Sequence, residues 1–248
     1  MGAQPVAVTA RTADVRFIGP VMGRYALDSR ARTNGVQIFA CRLQSISATQ
    51  IIASAPVSGL IEEGVTINFE PFGTLRGQIA RHVDGGFGMV IEADEDERGK
   101  LVSKIDWYKK RTFAGLTDKR QHRRFMPREA RSALILASGH VLPCLLIDVS
   151  ASGAAVSADI DPPVGEPLAI GRTVARVVRR LEVGFAVRFL SELEIDTMEE
   201  MLQAPDEWQR AIALQQEAAA AKRRALFAEL LATADGEGAS EPTDDYTI

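Results

Sequence analysis

Two parts of this 248-residue sequence resemble each other, and this internal repeat limits the folds that the chain can adopt. Residues 40–55 (ACRLQSISATQIIASA) align without a gap with residues 143–158 (PCLLIDVSASGAAVSA). Farther along, residues 79–93 (IARHVDGGFGMVIEA) match residues 177–191 (VVRRLEVGFAVRFLS). A repeat of this kind predicts two copies of one small domain, each with its own core, in place of one large core.

Short β-like segments with glycine, proline and aspartate between them fill residues 34–92 and resume after residue 129. Each set is followed by a segment with the apolar spacing of a helix, at residues 93–110 and 191–203. We therefore predict a mainly β chain that contains two compact barrels, each closed by a helix. Beyond Pro205 the chain is rich in helix-forming residues, which predicts a further helix, either docked on its own barrel or able to bind a partner.

Charge is distributed unevenly along the chain. The whole sequence has a net charge of −4, yet residues 104–131 hold ten Lys and Arg against three acids. Within that segment, residues 119–128 (KRQHRRFMPR) place five cations in ten positions. Residues 234–248 hold five acids and no base. This asymmetry predicts an anionic partner for the basic run and a disordered acidic tail.

The positions at which the two copies differ are the most informative ones. Asp148 and Gly153 of the second copy correspond to Ser45 and Gln50 of the first. Upstream, a tentative alignment places residues 23–25 opposite residues 123–125 and Pro20 opposite Arg120. A polar constellation is therefore expected in the second copy alone, as in a protein with one working site and one structural copy.

Five residues of the second copy form this constellation. Arg120 and Arg124 make an RxxxR pattern, and after 23 intervening residues Asp148, Ser150 and Gly153 make DxSxxG. Arginine donates paired hydrogen bonds to phosphate or to the O6/N7 edge of guanine. A carboxylate accepts hydrogen bonds, which suits the N–H groups on guanine's other edge, and glycine lets a ligand approach the backbone. The set therefore suits a compact anion that carries both phosphate and guanine.

The segments KRQHRRF and LIDVSASGAAV resemble the PilZ domain, the bacterial receptor module for cyclic di-GMP. The resemblance covers residues 119–190 well and extends weakly, through the repeat, over residues 15–108. It implies a six-stranded antiparallel β-barrel with a helix, in which the arginine pair folds over the ligand. Arg120 and Arg124 would then bind phosphate and guanine, and the DxSxxG residues would hold the nucleotide on the barrel surface.

The position of the arginine pair has one alternative, because Arg124 and Arg128 also form an RxxxR pattern. We prefer Arg120 with Arg124, since the family usually follows its second arginine with an apolar strand residue, here Phe125. Arg128 remains an additional ligand contact that could reach a second ligand molecule. Two further additional contacts, Lys119 and Arg123, flank the pair and are expected to strengthen the positive field.

The resemblance and the repeat together divide the chain into five predicted segments. These are a degenerate PilZ-like barrel with its helix at 15–108, a basic linker at 109–124, a PilZ barrel with its helix at 125–203, a helical extension at 204–233 and the acidic tail at 234–248. The function that follows is a bacterial cyclic di-GMP receptor that changes the arrangement of its barrels and signals to an unidentified protein partner. Motility, attachment and exopolysaccharide production are the processes that the resemblance suggests.

Other classes of function are weighed against this hypothesis. A PilZ-shaped protein-interaction adaptor that ignores nucleotide is the main alternative, and a nonspecific nucleic-acid binder is a weaker one. No metal-ligand cluster, cofactor motif or nucleophile motif is found, so no enzyme activity, metal or cofactor is expected. The sequence also lacks a secretory signal pattern and a long apolar run, so a cytoplasmic location without membrane insertion is expected.

Overall fold

The computed structural model describes residues 15–32, 35–112, 126–215, 217–218, 221–222 and 225. The chain divides into two compact units, one up to Pro205 and one from Asp206 onward. In the second unit, residues 206–215 are helical.

The described residues of the first unit form twelve strands and two helices. In chain order they are β1 (Phe17–Arg32), β2 (Gly35–Ile46), β3 (Gln50–Ser54), β4 (Gly64–Phe69), β5 (Gly73–Val83), β6 (Gly86–Ile91), α1 (Glu95–Thr112), β7 (Arg131–Leu136), β8 (Val141–Ser150), β9 (Gly153–Ala158), β10 (Pro167–Ile170), β11 (Thr173–Leu181), β12 (Gly184–Phe189) and α2 (Ile195–Leu202).

The strands close into two six-stranded antiparallel barrels with the same order of neighbours. The first barrel runs β1-β2-β3-β6-β5-β4, and the second runs β7-β8-β9-β12-β11-β10. Closure leaves no strand edge unpaired, which is how a small β-domain avoids pairing with other chains. The predicted fold of two PilZ-like barrels is confirmed.

Irregularities in the strands follow the sequence repeat. The register shifts between Leu43 and Ser45 in β2 and at the matching place between Leu146 and Asp148 in β8. Strands β5 and β11 shift at matching places too, before Arg81 and before Arg179. Each shift inserts one extra residue, which bends the strand and changes the side to which later side chains point. The two gapless alignments therefore describe real structural equivalence.

The upstream part of the sequence alignment was wrong. It placed residues 23–25 opposite residues 123–125. In the structure, however, Gly23 pairs with Cys41 across the sheet. Ser132 makes the matching pair with Cys144. The counterpart of residue 23 is therefore residue 132, nine positions later than the alignment placed it.

Each barrel buries its own apolar core, and a helix covers each core. The first core is rich in aromatic side chains, and α1 adds the buried Leu101 and Ile105 to it. Tyr108 of α1 packs against the rings of Phe17 and Phe72, with centroids 5.2 Å apart in both pairs. The second core is mostly aliphatic, and α2 contributes two buried side chains, Met198 and Leu202.

The two barrels contact each other through a small apolar cluster with polar contacts around it. Buried Ala40, Ala130 and Leu145 form its centre, and Met22, Ile147 and Val183 pack against them. Polar contacts that link the barrels around this cluster include Arg24 Nη1 with Glu182 Oε1 at 2.7 Å, Arg30 Nη2 with Asp159 Oδ2 at 2.5 Å, and Ala40 N with Ser157 Oγ at 3.0 Å.

Candidate ligand-binding site

The three DxSxxG residues lie together on one hairpin of the second barrel. Asp148 and Ser150 belong to the end of β8, and Gly153 begins β9 after a two-residue turn. Ser150 pairs directly with Gly153, and Asp148 pairs with Ala155. Because of the bulge before Asp148, Ile147 packs against the apolar cluster between the barrels, while its neighbour Asp148 is half-buried beside a surface cavity.

Two residues of the pattern have local structural roles of their own. The Ser150 hydroxyl donates to the carbonyl of Gly153 at 3.2 Å, and Ser47 of the first barrel approaches the Gln50 carbonyl in the same way at 3.5 Å. A Cβ atom at residue 153 would lie 2.2 Å from the carbonyl oxygen of Val187. Glycine is therefore required here by the neighbouring strand, whether or not a ligand also approaches it.

The cavity, which we call the cradle, has a volume of about 170 Å³ on the outer surface of the second barrel. Its floor follows the cross-strand row Asp148–Ala155–Ala186–Arg179, which spans β8, β9, β12 and β11. Neighbouring strands are about 4.8 Å apart, so the two ends of this row are separated by roughly 14 Å along the curved sheet. Only methyl groups lie between the carboxylate and the guanidinium, which leaves the floor open.

Sequence reasoning missed the far wall of the cradle. Arg179 of β11 and Arg188 of β12 both line the cavity, and Arg188 pairs directly with Gly153 across the sheet. Neither arginine belongs to the RxxxR pattern. Their position follows from strand pairing between segments about 30 residues apart, and the sequence offered one signal, the accumulation of arginines in residues 176–188.

The arginine half of the predicted site lies mostly outside the described residues. Lys119, Arg120, Arg123 and Arg124 all fall in 113–125, as does Phe125, at which we placed the start of the barrel. The first strand of this barrel begins at Arg131. Because of the nine-residue correction to the alignment, Pro20 is not the counterpart of Arg120.

Arg128 is described, and it lies beside the junction of the barrels and away from the cradle. It lines a second cavity together with residues of the first barrel, including Arg42 and Asp84. Its backbone N–H donates to Glu199 Oε1 at 3.0 Å, and its side chain is exposed. Arg128 is therefore not among the residues that the structure places around the cradle.

The end of the basic run and the residues directly after it are held on the first barrel. The Arg42 guanidinium donates to the carbonyls of Pro127 and Arg128, both at 2.8 Å. Arg131 Nη1 forms an ion pair with Asp84 Oδ2 of the first barrel at 2.6 Å. Residues 127–131, which we call the clamp segment, thus join the basic run to both barrels.

Electrostatics at the clamp segment favour the charged forms of its ion pair. Burial tends to raise the pKa of Glu129, but hydrogen bonds from Arg131 outweigh that effect and hold it below its ordinary value. Hydrogen bonds to Glu129 and Asp84 raise the pKa of Arg131 despite partial burial. Both groups therefore stay charged through the physiological pH range.

The cradle combines an acceptor wall with a donor wall. A carboxylate and a serine hydroxyl stand on β8, and two guanidinium groups stand on β11 and β12, with glycine and alanine between them. Such an arrangement can accept N–H donors from a planar group while donating to an anion on the opposite side. The described residues hold no cluster of three His, Cys, Asp or Glu that could bind a metal ion.

The fold and this surface site together define a barrel-type binding domain. Residues 118–204 match the family model described as PilZ domain, so this part of the chain is a PilZ domain and the recognition made from the sequence is confirmed. The match contains the whole second barrel and α2. A comparison with curated proteins finds no significant match.

Several solved structures resemble the chain at low sequence identity. The PlzA protein of Borreliella burgdorferi in complex with c-di-GMP is 11% identical, with 73% of this chain and 85% of that chain covered and a TM-score of 0.26. The Bacillus subtilis inhibitor of motility (MotI/DgrA) is 15% identical, covering 80% and 98%, with a TM-score of 0.25. YcgR from Escherichia coli in complex with c-di-GMP is 12% identical, covering 83% and 88%, with a TM-score of 0.23.

Among the helices that the structure describes, none has the length and apolar character needed to cross a membrane.

Proposed function

We propose that this protein is a receptor for cyclic di-GMP without enzymatic activity of its own, and that the ligand binds in the cradle of the second barrel. The observation that carries the proposal is that Asp148, Ser150 and Gly153 line one open cavity in a domain of the PilZ family. Asp148 accepts hydrogen bonds from guanine N–H groups, and the backbone at Gly153 allows close approach. Arg120 and Arg124 of the preceding basic run close over the ligand and bind its phosphates and guanine.

The same proposal includes a change in the arrangement of the two barrels. Ligand phosphate neutralises the basic run, and the clamp segment at the end of that run is bonded to Arg42 and Asp84 of the first barrel. Ile147 adds a second route, because it lies directly beside Asp148 and packs against the apolar cluster between the barrels. A shift of either element on binding alters how the barrels face each other, and a protein partner then recognises the altered surface. Control of motility, attachment or exopolysaccharide production is the proposed output.

Calorimetric titration tests the ligand. We expect saturable binding of cyclic di-GMP and none of cyclic di-AMP, because adenine lacks the N1–H and 2-amino donors of guanine from which Asp148 would accept hydrogen bonds. A charge-assisted hydrogen bond contributes about 1.5–3 kcal/mol, so Arg120→Ala and Arg124→Ala should each weaken binding on the order of tenfold to a hundredfold. Arg128→Ala is the matched control and should retain the wild-type affinity. Absence of binding by the intact protein would leave a PilZ-shaped adaptor.

Distance measurements test the rearrangement. Single cysteines placed at the exposed positions Glu70 and Val164, with both native cysteines replaced by alanine, allow one label on each barrel. We expect the distance between the labels to change on addition of cyclic di-GMP. Arg42→Ala removes the hydrogen bonds to the clamp segment and should reduce that change while ligand still binds. An unchanged distance in the wild-type background would refute the rearrangement and leave the binding proposal standing.

A further inference from the structure

Two arginines on the far wall of the cradle differ from the other arginines of the same strands. Arg176 donates to the Gly165 carbonyl at 2.6 Å, and Arg180 Nε forms an ion pair with Asp161 at 3.1 Å. Within the part of the chain that the structure describes, Arg179 and Arg188 form neither a hydrogen bond nor an ion pair. Both are exposed, and both line the cavity.

The first barrel shows what this wall becomes when no site is present. Its counterpart of the Arg179–Ala186 pair is Arg81–Gly88, and Arg81 lies across the glycine. A Cβ atom on Gly88 would be 3.1 Å from both Cγ and Nε of Arg81, and Gly88 is buried. An arginine in the same conformation in the second barrel would crowd the methyl group of Ala186. The alanine therefore keeps Arg179 off the floor of the cradle.

A second cross-strand pair changes in a related way. In the first barrel Gln50 pairs with Val90, and in the second barrel Gly153 pairs with Arg188. Relative to the first barrel, the second barrel lacks the long glutamine side chain at the start of β9 and has a guanidinium group on β12 in place of a valine. Together the two exchanges empty the floor and place two cations along one side of it.

We propose that Arg179 and Arg188 form the phosphate-binding wall of the cradle and fix the direction in which the nucleotide lies. This inference rests on the proposed function. Asp148 on β8 accepts hydrogen bonds from the base, and the guanidinium groups of Arg179 on β11 and Arg188 on β12 donate to a phosphate. The ligand therefore lies across the strands with its base toward β8. Guanidinium binds phosphate through paired hydrogen bonds, which makes the two walls chemically distinct.

The first test replaces each arginine and measures affinity for cyclic di-GMP by calorimetry. Arg188→Val installs the residue of the first barrel at the matching position, and β-branched residues suit an exposed strand position. We expect Arg188→Val and Arg179→Ala each to weaken binding on the order of tenfold to a hundredfold. Arg176→Gln is the matched control. It also removes one positive charge, and Arg176 pairs with Arg188 across the sheet but does not line the cradle. It should bind as the wild type does.

Salt dependence provides a readout that a purely structural role would not change. Ions screen contacts between charged groups, so the affinity ratio between wild type and Arg188→Val should shrink as the salt concentration rises. Arg188→Lys keeps the charge without the paired geometry and should recover part of the affinity. Thermal unfolding of each variant verifies that the barrel remains folded.

The possible outcomes distinguish a failure of the phosphate-binding wall from a failure of the proposed receptor function. If the wild type does not bind cyclic di-GMP, the proposed function itself is wrong. If the wild type binds and Asp148→Ser weakens binding, but Arg179→Ala and Arg188→Val do not, the receptor stands and the phosphate-binding wall is refuted. A loss in Arg176→Gln equal to that in Arg188→Val would also refute it, because the effect would then reflect net charge alone.

Discussion

The two barrels share strand order, bulge positions and a helical cover, yet their outer surfaces differ along the same cross-strand row. In the second barrel the row is Asp148–Ala155–Ala186–Arg179. In the first barrel the corresponding row is Ser45–Ile52–Gly88–Arg81. The row of the second barrel leaves a floor of methyl groups between opposite charges. The row of the first barrel is filled by Ile52 and by Arg81, which lies across Gly88.

This difference shows that the barrel framework can be kept while the surface cavity changes. A closed barrel depends on inward-facing residues and on strand register, both of which the two copies retain. Outward-facing residues at the bulged strands determine whether a cavity is open. Side-chain size on the floor is therefore as important for the site as the charged groups on its walls.

Filling the floor should have the largest effect. Ala155→Ile installs the first barrel's Ile52 in the cradle, where its added carbons occupy the space proposed for the ligand. We expect affinity for cyclic di-GMP to fall by roughly a hundredfold or more, because relieving overpacking costs about 1–3 kcal/mol in addition to lost contacts. Titration calorimetry measures this, and Ile52→Ala in the first barrel is the control that should leave affinity unchanged. Undiminished binding by Ala155→Ile would place the ligand elsewhere.

Removing the acceptor should have an intermediate effect. Asp148→Ser installs the residue of the first barrel and should weaken cyclic di-GMP binding on the order of tenfold to a hundredfold. It should also narrow the preference over cyclic di-AMP, since the lost group is the one proposed to recognise guanine. Asp161→Ser removes an exposed acid of the same barrel that pairs with Arg180, and it should do neither. If the Asp148→Ser variant kept the full preference for guanine, the Asp148 carboxylate would not be the group that recognises the base.

The smallest effect concerns one cysteine in each barrel. Burial raises the pKa of Cys144 to about 12 and raises that of Cys41 further, so neither thiol forms the reactive thiolate in the folded state. Variants that retain one cysteine should react with a thiol reagent at neutral pH only as that barrel opens. Saturating cyclic di-GMP should slow the reaction of Cys144 more than that of Cys41, because the ligand stabilises the barrel that binds it. Equal slowing would indicate that the two barrels open together.

The same thiols give a pH dependence with a definite sign. An unfolded cysteine ionises near pH 8.5, whereas the folded Cys144 keeps its proton until about pH 12. The protonated thiol therefore costs the folded state nothing below the pKa of the unfolded cysteine. Raising the pH above that pKa ionises the thiol in the unfolded state alone and so favours unfolding. Cys144→Ala should therefore reduce the loss of stability of the second barrel between these two values, as measured by thermal unfolding across that range.

The sequence predicted those features that depend on local patterns. Repeated strand-like segments with their turns predicted two barrels. The gapless match of residues 40–55 with 143–158 predicted that these segments are equivalent, and the structure shows a bulge at the same place in both. The apolar spacing within residues 93–110 predicted a helix that closes the first barrel, and α1 does pack Leu101 and Ile105 into the first core. The hairpin that holds Asp148, Ser150 and Gly153 together was predictable because these residues are close in sequence.

The upstream alignment failed for a physical reason. The first strand of the first barrel has 16 residues and two register shifts, whereas the matching strand of the second barrel has six residues. Sequence comparison did not reveal this difference in strand length, because neither strand has a regular alternation of apolar and polar residues that would fix the offset. Pairing with β2 and β8 fixes the offset.

By itself, the sequence determined that the chain folds as two small β-domains and that only the second has the DxSxxG pattern proposed to bind a nucleotide. Local propensity, periodicity and short motifs suffice for this because they act between residues near each other in the chain. Tertiary structure alone decided that the cradle is open, that Arg179 and Arg188 form its far wall, and that Arg42 and Asp84 hold the clamp segment. These features depend on cross-strand register and on contacts between the barrels, which bring together residues that are far apart in sequence.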